Sequence, residues 1–319
     1  MSPQTKLKQV GTMGTILVVS KDDRALTLID ARSLRVLRKV ELSGFTGHEV
    51  AVHSNQSLAY VPIYGDSPLG AVGTNGSTVD VIDLHRGERL TTFDVPSFSR
   101  PHCAAFGSDG LLYITTELDE TVTVIETETL SIIRRLATGH SQAHMLALSP
   151  KGTRCYTANV EPGSISEMST KSGALLRTID ITDKINRISL SADGSLAFTA
   201  DQHRPRLAIV DLKAGVVDRW VDIPSIAFGT AATPDGTALI LAMRGSNQVA
   251  RLDLKAFSIE ATVVVPPSPQ MILIDPSGTL AYTACSSAGV LTAVRIADMT
   301  VTGTVECGKN PDGLAFAAG

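Results

Sequence analysis

SPKGTRCYTAN, residues 149–159, decides the fold because it recurs. It returns as SADGSLAFTAD at 191–201, TPDGTALILAM at 233–243 and DPSGTLAYTAC at 275–285, each copy starting 42 residues after the last. Upstream, GSDGLLYITT at 107–116 keeps the phase with one residue missing after its glycine, and HSNQSLAYVPI at 53–63 keeps the strand without the Asp-Gly. Each copy is a polar turn leading into a short apolar strand, and a short strand such as MLAL (145–148), with His144 in the entry loop just before it, precedes it, which is a hairpin signal. A fixed period of this size marks a repeat architecture.

Two more strands fill each period. The first is clear in TVDVIDL, TVTVIET, LAIVDL and QVARLDL; the second is clear in RLTTFDV, SIIRRLA, LLRTIDI and SIEATVV. All alternate with period two or are apolar throughout. Four short antiparallel strands per unit make a propeller blade. First strands begin near residues 48, 102, 144, 186, 228, 270 and 312, which gives seven blades. The last, NPDGLAFAAG, has no strands after it, while TILVVS, ALTLID and RVLRKVEL near the N-terminus lack a first strand. The sequence therefore predicts an all-β, seven-bladed propeller with almost no helix, one domain over residues 1–319. Residues 312–317 should close the ring by pairing with the N-terminal blade and covering otherwise free edges.

The blades resemble those of the YVTN family of seven-bladed propellers, relatives of YncE-like and lactonase-type proteins. CYTAN at 155, AYVPI at 59 and AFTAD at 197 stand where that family has its Tyr-Val-x-Asn strand, and the SPKG and TPDG turns match its Ser-Pro-Asp-Gly. The resemblance covers nearly the whole chain and implies the fold. It does not choose a function, because one fold hosts many sites.

Composition excludes several classes. The chain has 319 residues, 43% hydrophobic, a net charge of −4 and only 4% aromatic residues. With no basic block and few stacking rings, nucleic acid is not an expected partner. No apolar run approaches the roughly 18 residues of a membrane span. The first apolar run, Ile16 to Val19, is too short for a signal-peptide core of about 7–15 residues, so the expected location is the cytoplasm, with the periplasm as the alternative if a signal peptide has been removed. Cys103, Cys155, Cys285 and Cys307 form no C-x-x-C pair and are expected to be buried free thiols. No G-x-S-x-G elbow, Walker loop or haem attachment motif is present, and GAVGTNGS lies between strands, not before a helix.

Phasing the repeat exposes a candidate site. Four residues before the last apolar position of each first strand stand His48, His102, His144, Asn186, Phe228, Gln270 and Asp312. Three consecutive blades thus offer histidine at one structural position, where the central channel opens. Three imidazoles converging from one side would hold a divalent metal with open coordination positions, zinc first, with iron, manganese or copper as alternatives. The loops between second and third strands open on the same face and bring Tyr64, Glu117, Glu161, His203 and Arg244 towards the mouth as candidate catalytic residues. Glu117 and Glu161 suit a fourth ligand or a general base; Arg244 and Arg187 suit an anionic substrate. The loop from Tyr64 to Ser77 is much longer than its counterparts and is expected to cover the mouth. His53 falls on the opposite face, and His85 and His140 fall out of phase. The resulting expectation is a metal-dependent enzyme for a small polar substrate, with hydrolase or lyase chemistry first. A metal-dependent oxidoreductase and a non-catalytic propeller binding a ligand or a protein are the alternatives.

Overall fold

The strands of this chain are short because a turn residue interrupts the apolar run every few positions, and they stack because two of every four are apolar on both faces. A computed structural model describes residues 13–66, 71–96 and 99–319. The N-terminal residues 1–12, where no leader was expected, and residues 67–70 of the long loop lie outside the described residues. The described residues form seven four-stranded antiparallel sheets, each ordered so that one strand lines the axis and the fourth faces out. Helix is confined there to two single 3₁₀ turns, 117–119 and 244–246.

Closure runs as the repeat arithmetic requires. Strand Pro311–Ala318 pairs antiparallel with Gly14–Ser20, in register Thr15 with Ala317 and Leu17 with Ala315. It thereby supplies the inner strand of blade one, whose other three strands are Gly14–Ser20, Ala25–Asp30 and Val36–Glu41. Blades two to seven follow in order over 51–94, 101–137, 143–180, 189–222, 230–264 and 269–306.

The middle strands of a blade are covered on both sides by neighbouring blades. In blade five, for instance, Leu207, Ala208, Ile209 and Val210 are all fully buried. Such strands read as continuous apolar runs, while the outer strand Glu88–Asp94 of blade two is exposed along most of its length. The apolar clusters span blade boundaries. One joins Leu17, Leu26 and Val40 of blade one to Val61 and Ile82 of blade two, and another joins Ile16 and Leu314 of blade one to Tyr282 and Leu291 of blade seven. No blade buries its own face alone.

The repeated turn has a local cause. Gly152, Gly194, Gly236 and Gly278 all take left-handed φ, near +70°, which glycine adopts without a Cβ penalty. In the one copy that lacks the glycine, Gln56 takes φ +61° instead. Its side chain has a use that glycine would lose: Oε1 accepts the amide of Ala318 at 2.8 Å, holding the end of the closing strand.

Four inner strands carry an irregularity at the same level. Between blade three's inner and second strands the register slips from Pro101–Thr116 to Ala104–Ile114, and in blade four from Ala143–Asn159 to Met145–Ala158. Blade seven slips between Pro269 and Ile272, and the closing strand between Pro311 and Leu314. Each slip inserts one extra residue on the inner strand, a β-bulge.

Candidate functional site

The bulges explain which side chains reach the channel. A regular strand sends successive side chains to opposite faces. An extra residue breaks that alternation, so two consecutive side chains turn inward. His102 and Cys103, and His144 and Met145, are buried as neighbouring pairs in this way. His102 and His144 therefore lie within strands Pro101–Phe106 and Ala143–Leu148, not in the loops before them as the sequence suggested. His48 does precede its strand, Ala51–Val52. Thr115 locks the arrangement: its hydroxyl donates to the carbonyl of His144 at 2.8 Å and accepts the amide of Cys103 at 2.9 Å.

The three histidines meet. Ring centroids of His48 and His102 are 4.4 Å apart and those of His102 and His144 3.7 Å, with the planes tilted by 32° and 40°. Both ring nitrogens of His102 and Nδ1 of His144 are buried without a hydrogen-bond partner. His102 is only 1% exposed, so this is costly, about 1–3 kcal/mol for each orphaned polar group. Burial pushes His102 well below the ordinary histidine range, and the neighbouring imidazoles His144 and His48 push the same way. Burial does the same to His144, helped by His48 and Arg187. His48 is lowered by burial too, against an opposing pull from Asp312. All three are thus neutral near pH 7, the form a metal requires. The rings, however, stack more than they converge. Ligands of one tetrahedral ion would hold their ring centres roughly 5 Å apart, given N–metal bonds of about 2 Å. Among the described residues no group of three His, Cys, Asp or Glu side chains is placed to hold a metal as it stands.

Of the other residues singled out by sequence, Tyr64 and Glu117 join the cluster. The edge of the Tyr64 ring meets His48 and His102 at centroid distances of 5.1 and 5.5 Å, and its hydroxyl donates to Glu117 Oε2. Burial, reinforced by the Glu117 carboxylate, raises the Tyr64 hydroxyl far above its usual value, so it stays a donor. Arg244 is exposed at the rim, with its guanidinium 5.7 Å from the Phe228 ring centre. Glu161 and His203 are left in solvent: Glu161 spends its carboxylate on Lys184 at 2.9 Å, and the His203 amide donates to Asp201 in its turn. His53 packs edge-on against Phe106 and supports its own turn, as a structural residue would.

Arg100 anchors the long loop. Its Nε donates to Asn75 Oδ1 at 2.7 Å, its Nη2 to the carbonyl of Ala71 at 2.6 Å, and its Nη1 lies 3.6 Å from Glu117. Ser99 and Arg100 both take left-handed φ, +61° and +49°, a strain that side-chain-bearing residues keep only where surroundings enforce it. Between the loop and blades three and four lies a cleft of about 400 Å³, lined by Asn75, Arg100, Glu117, Ser141 and Gln142 among others. Glu117 lines this cleft and hydrogen-bonds Tyr64, so it links the cleft to the histidines.

The feature that sequence reasoning underrated is a charge clasp across the channel. Arg187 of blade five faces the boundary between blades one and two, three blades away in either direction. Its Nη1 donates to Glu49 Oε1 and its Nη2 to Asp312 Oδ1, both at 2.7 Å. Met145 and Met271 sulfurs lie 3.7 and 3.1 Å from Nη1, and the Phe228 ring centre 5.1 Å from the guanidinium carbon. Lys21 adds a second cation to Asp312, at 2.9 Å from Oδ2. Burial drives the Glu49 carboxyl up to about 7 even though Arg187 pulls it down. Burial also opposes ionisation of Asp312, but Lys21, Arg187 and His48 outweigh it and hold that carboxyl well below the usual range. Of two acids sharing one arginine, Asp312 has the extra cation and keeps the charge. A signal existed in the sequence: one position after each phased residue stand Glu49, Cys103, Met145, Arg187, Gly229, Met271 and Gly313, where opposite charges in an otherwise uncharged ring mark a cross-channel pair.

No protein-family profile matches the chain, and no curated protein matches it in sequence. Solved structures do match. Hydrazine synthase from Kuenenia stuttgartiensis aligns with TM-score 0.72 at 17% identity, over 92% of this chain and 99% of that one. A functionally unknown protein from Desulfotomaculum acetoxidans aligns with TM-score 0.78 at 14% identity, over 96% of this chain and 99% of that one. At such identities the likeness is one of fold, a seven-bladed propeller.

Proposed function

We propose that the channel mouth is an active site in which His48, His102 and His144 hold a divalent metal ion, zinc first, acting on a small polar substrate. The observation that carries this reading is the set of orphaned nitrogens: three neutral imidazoles from one register of three blades meet, and the most deeply buried, His102, has neither nitrogen hydrogen-bonded. An ion there would supply Lewis-acid polarisation of a substrate oxygen. The protein's own part is to place the substrate. The cleft beside Glu117 admits a small molecule, and Glu117 with Tyr64 stands ready to accept or donate a proton between cleft and histidines. Hydrolysis or elimination fits this set first, since a carboxylate and a hydroxyl adjoin the imidazoles; a metal-dependent oxidoreductase would use the same histidines. Resemblance of the blades to the YVTN propellers, with lactonase-type relatives, supports chemistry on this face.

To share one ion, the rings must turn about their Cβ–Cγ bonds out of their present stacking. That stacking favours a second reading, a non-catalytic propeller binding a polar ligand or a protein at the same mouth. Elemental analysis of protein purified without a histidine tag separates the two. The metal reading expects one equivalent in the native protein, its loss in His48→Ala, His102→Ala and His144→Ala, and its retention in His53→Ala. Native protein that neither contains nor takes up zinc, iron, manganese or copper leaves the ligand-binding reading.

A further inference from the structure

We propose that Asp312, delivered by the ring-closing strand, is a positioning residue that fixes the tautomer and orientation of His48. The contact joins residues 264 positions apart: His48 Nδ1 lies 3.2 Å from Asp312 Oδ2. Its direction follows from what surrounds the carboxylate. Lys21 Nζ shares Oδ2 at 2.9 Å, and Arg187 Nη2 donates to Oδ1 at 2.7 Å. With two cations on it, the group is ionised, and an ionised carboxylate only accepts. The hydrogen of the His48 contact must therefore sit on Nδ1. A neutral imidazole carries one hydrogen, so Nε2 keeps its lone pair.

The carboxylate is itself immobile. Asp312 is 3% exposed and lies where the closing strand bulges between Pro311 and Leu314. Arg187 is in turn anchored on Glu49 from the neighbouring blade. The charged groups around the contact are thus Lys21, Arg187 and Glu49, with His102 stacked on the far side of His48. The next residue brings the two strands together: a Cβ on Gly313 would lie 2.3 Å from the His48 carbonyl oxygen, and the Gly313 amide donates to that oxygen at 2.8 Å. Closing the ring and orienting His48 are one event. A hydrogen bond to the nitrogen of an imidazole that is not used for binding is what gives such a ring a single orientation.

This inference concerns the channel-mouth site proposed above, but its test is read on the imidazole and needs no metal. The ¹⁵N and ¹³C resonances of His48 in labelled, metal-free protein at pH 7.5, assigned through His48→Gln, should show hydrogen on Nδ1 and a bare Nε2. Asp312→Ala should lose that signature in favour of the Nε2–H form that free side chains prefer. Lys21→Gln, which removes the competing cation from the same oxygen, should retain it. Native protein with hydrogen on Nε2 overturns the proposal whether or not any variant folds, and so does a folded Asp312→Ala protein with an unchanged tautomer. Absence of metal binding would sink the metal reading while leaving this result standing.

Discussion

Arg187 shows how much one side chain can carry in this ring. It is 5% exposed and answers two carboxylates from blades on the far side of the channel. Replacing it leaves Glu49 buried without its counter-ion and Asp312 with Lys21 alone, and breaking such a buried pair costs about 3–5 kcal/mol. Arg187→Met, which keeps much of the volume, should therefore lower the melting temperature sharply in thermal denaturation, while Arg244→Met at the exposed rim should change it little. His102 makes a second prediction at this scale. Its folded value lies well below 6.5, so as pH falls through about 6.5 the unfolded chain takes up a proton that the folded ring does not. Stability is then lost on the acid side. Glu49, raised to about 7, acts oppositely: the unfolded chain releases its proton near 4.5, so its contribution falls as pH rises from there to about 7. The difference between native protein and His102→Gln removes the Glu49 share. Denaturant titrations from pH 7.5 down to 5 should show the native protein losing stability relative to the variant; parallel curves would mean that His102 titrates normally.

Elements show where periodicity stops being a guide. Alternation in the inner strand of blade four would send either His144 or Met145 to the channel, not both. The bulge between Ala143 and Met145 admits both, because one extra residue faces no partner on the second strand. The approach of the closing strand to blade two is the matching constraint. Gly313→Ala would set a methyl group against the His48 carbonyl and Glu49 Cα, backbone that has little room to move. A cost of about 1–3 kcal/mol is expected from such overpacking, read as a lower melting temperature. The long loop behaves differently. Its described part is held by Arg100 through Ala71 and Asn75, while a loop's entropy varies slowly with length. Shortening residues 66–74 to the length of the NVEPG loop should leave the fold intact and change ligand affinity at the cleft. Unchanged affinity, measured by calorimetry once a ligand is found, would make the insertion a passive one.

At the scale of the whole molecule, stability is shared around the ring. Apolar clusters bridge adjacent blades, so opening one joint exposes two faces and an unpaired edge. Removing residues 311–319 deletes the inner strand of blade one together with Asp312, Gly313 and buried Leu314. The truncated protein should lose more stability than any single substitution, well beyond about 4 kcal/mol. A truncated chain that melts with the full-length protein would contradict closure as the fastening of the ring. Much of this architecture was determined by the sequence alone. Turn glycines 42 residues apart, apolar runs between them and a three-strand remainder at one end admit one solution, because each blade must bury both faces and the leftover strands must pair. That His48, His102 and His144 lie side by side was legible for the same reason, since equal phase in a closed ring means equal height at the axis. Tertiary structure alone decided what those histidines face. Bulges that no local pattern announces turned pairs of side chains inward, and the ring's diameter let Arg187 span the channel to Glu49 and Asp312. The axis of a propeller is where residues remote in sequence become neighbours, and there side-chain reach and charge, not periodicity, set the partners.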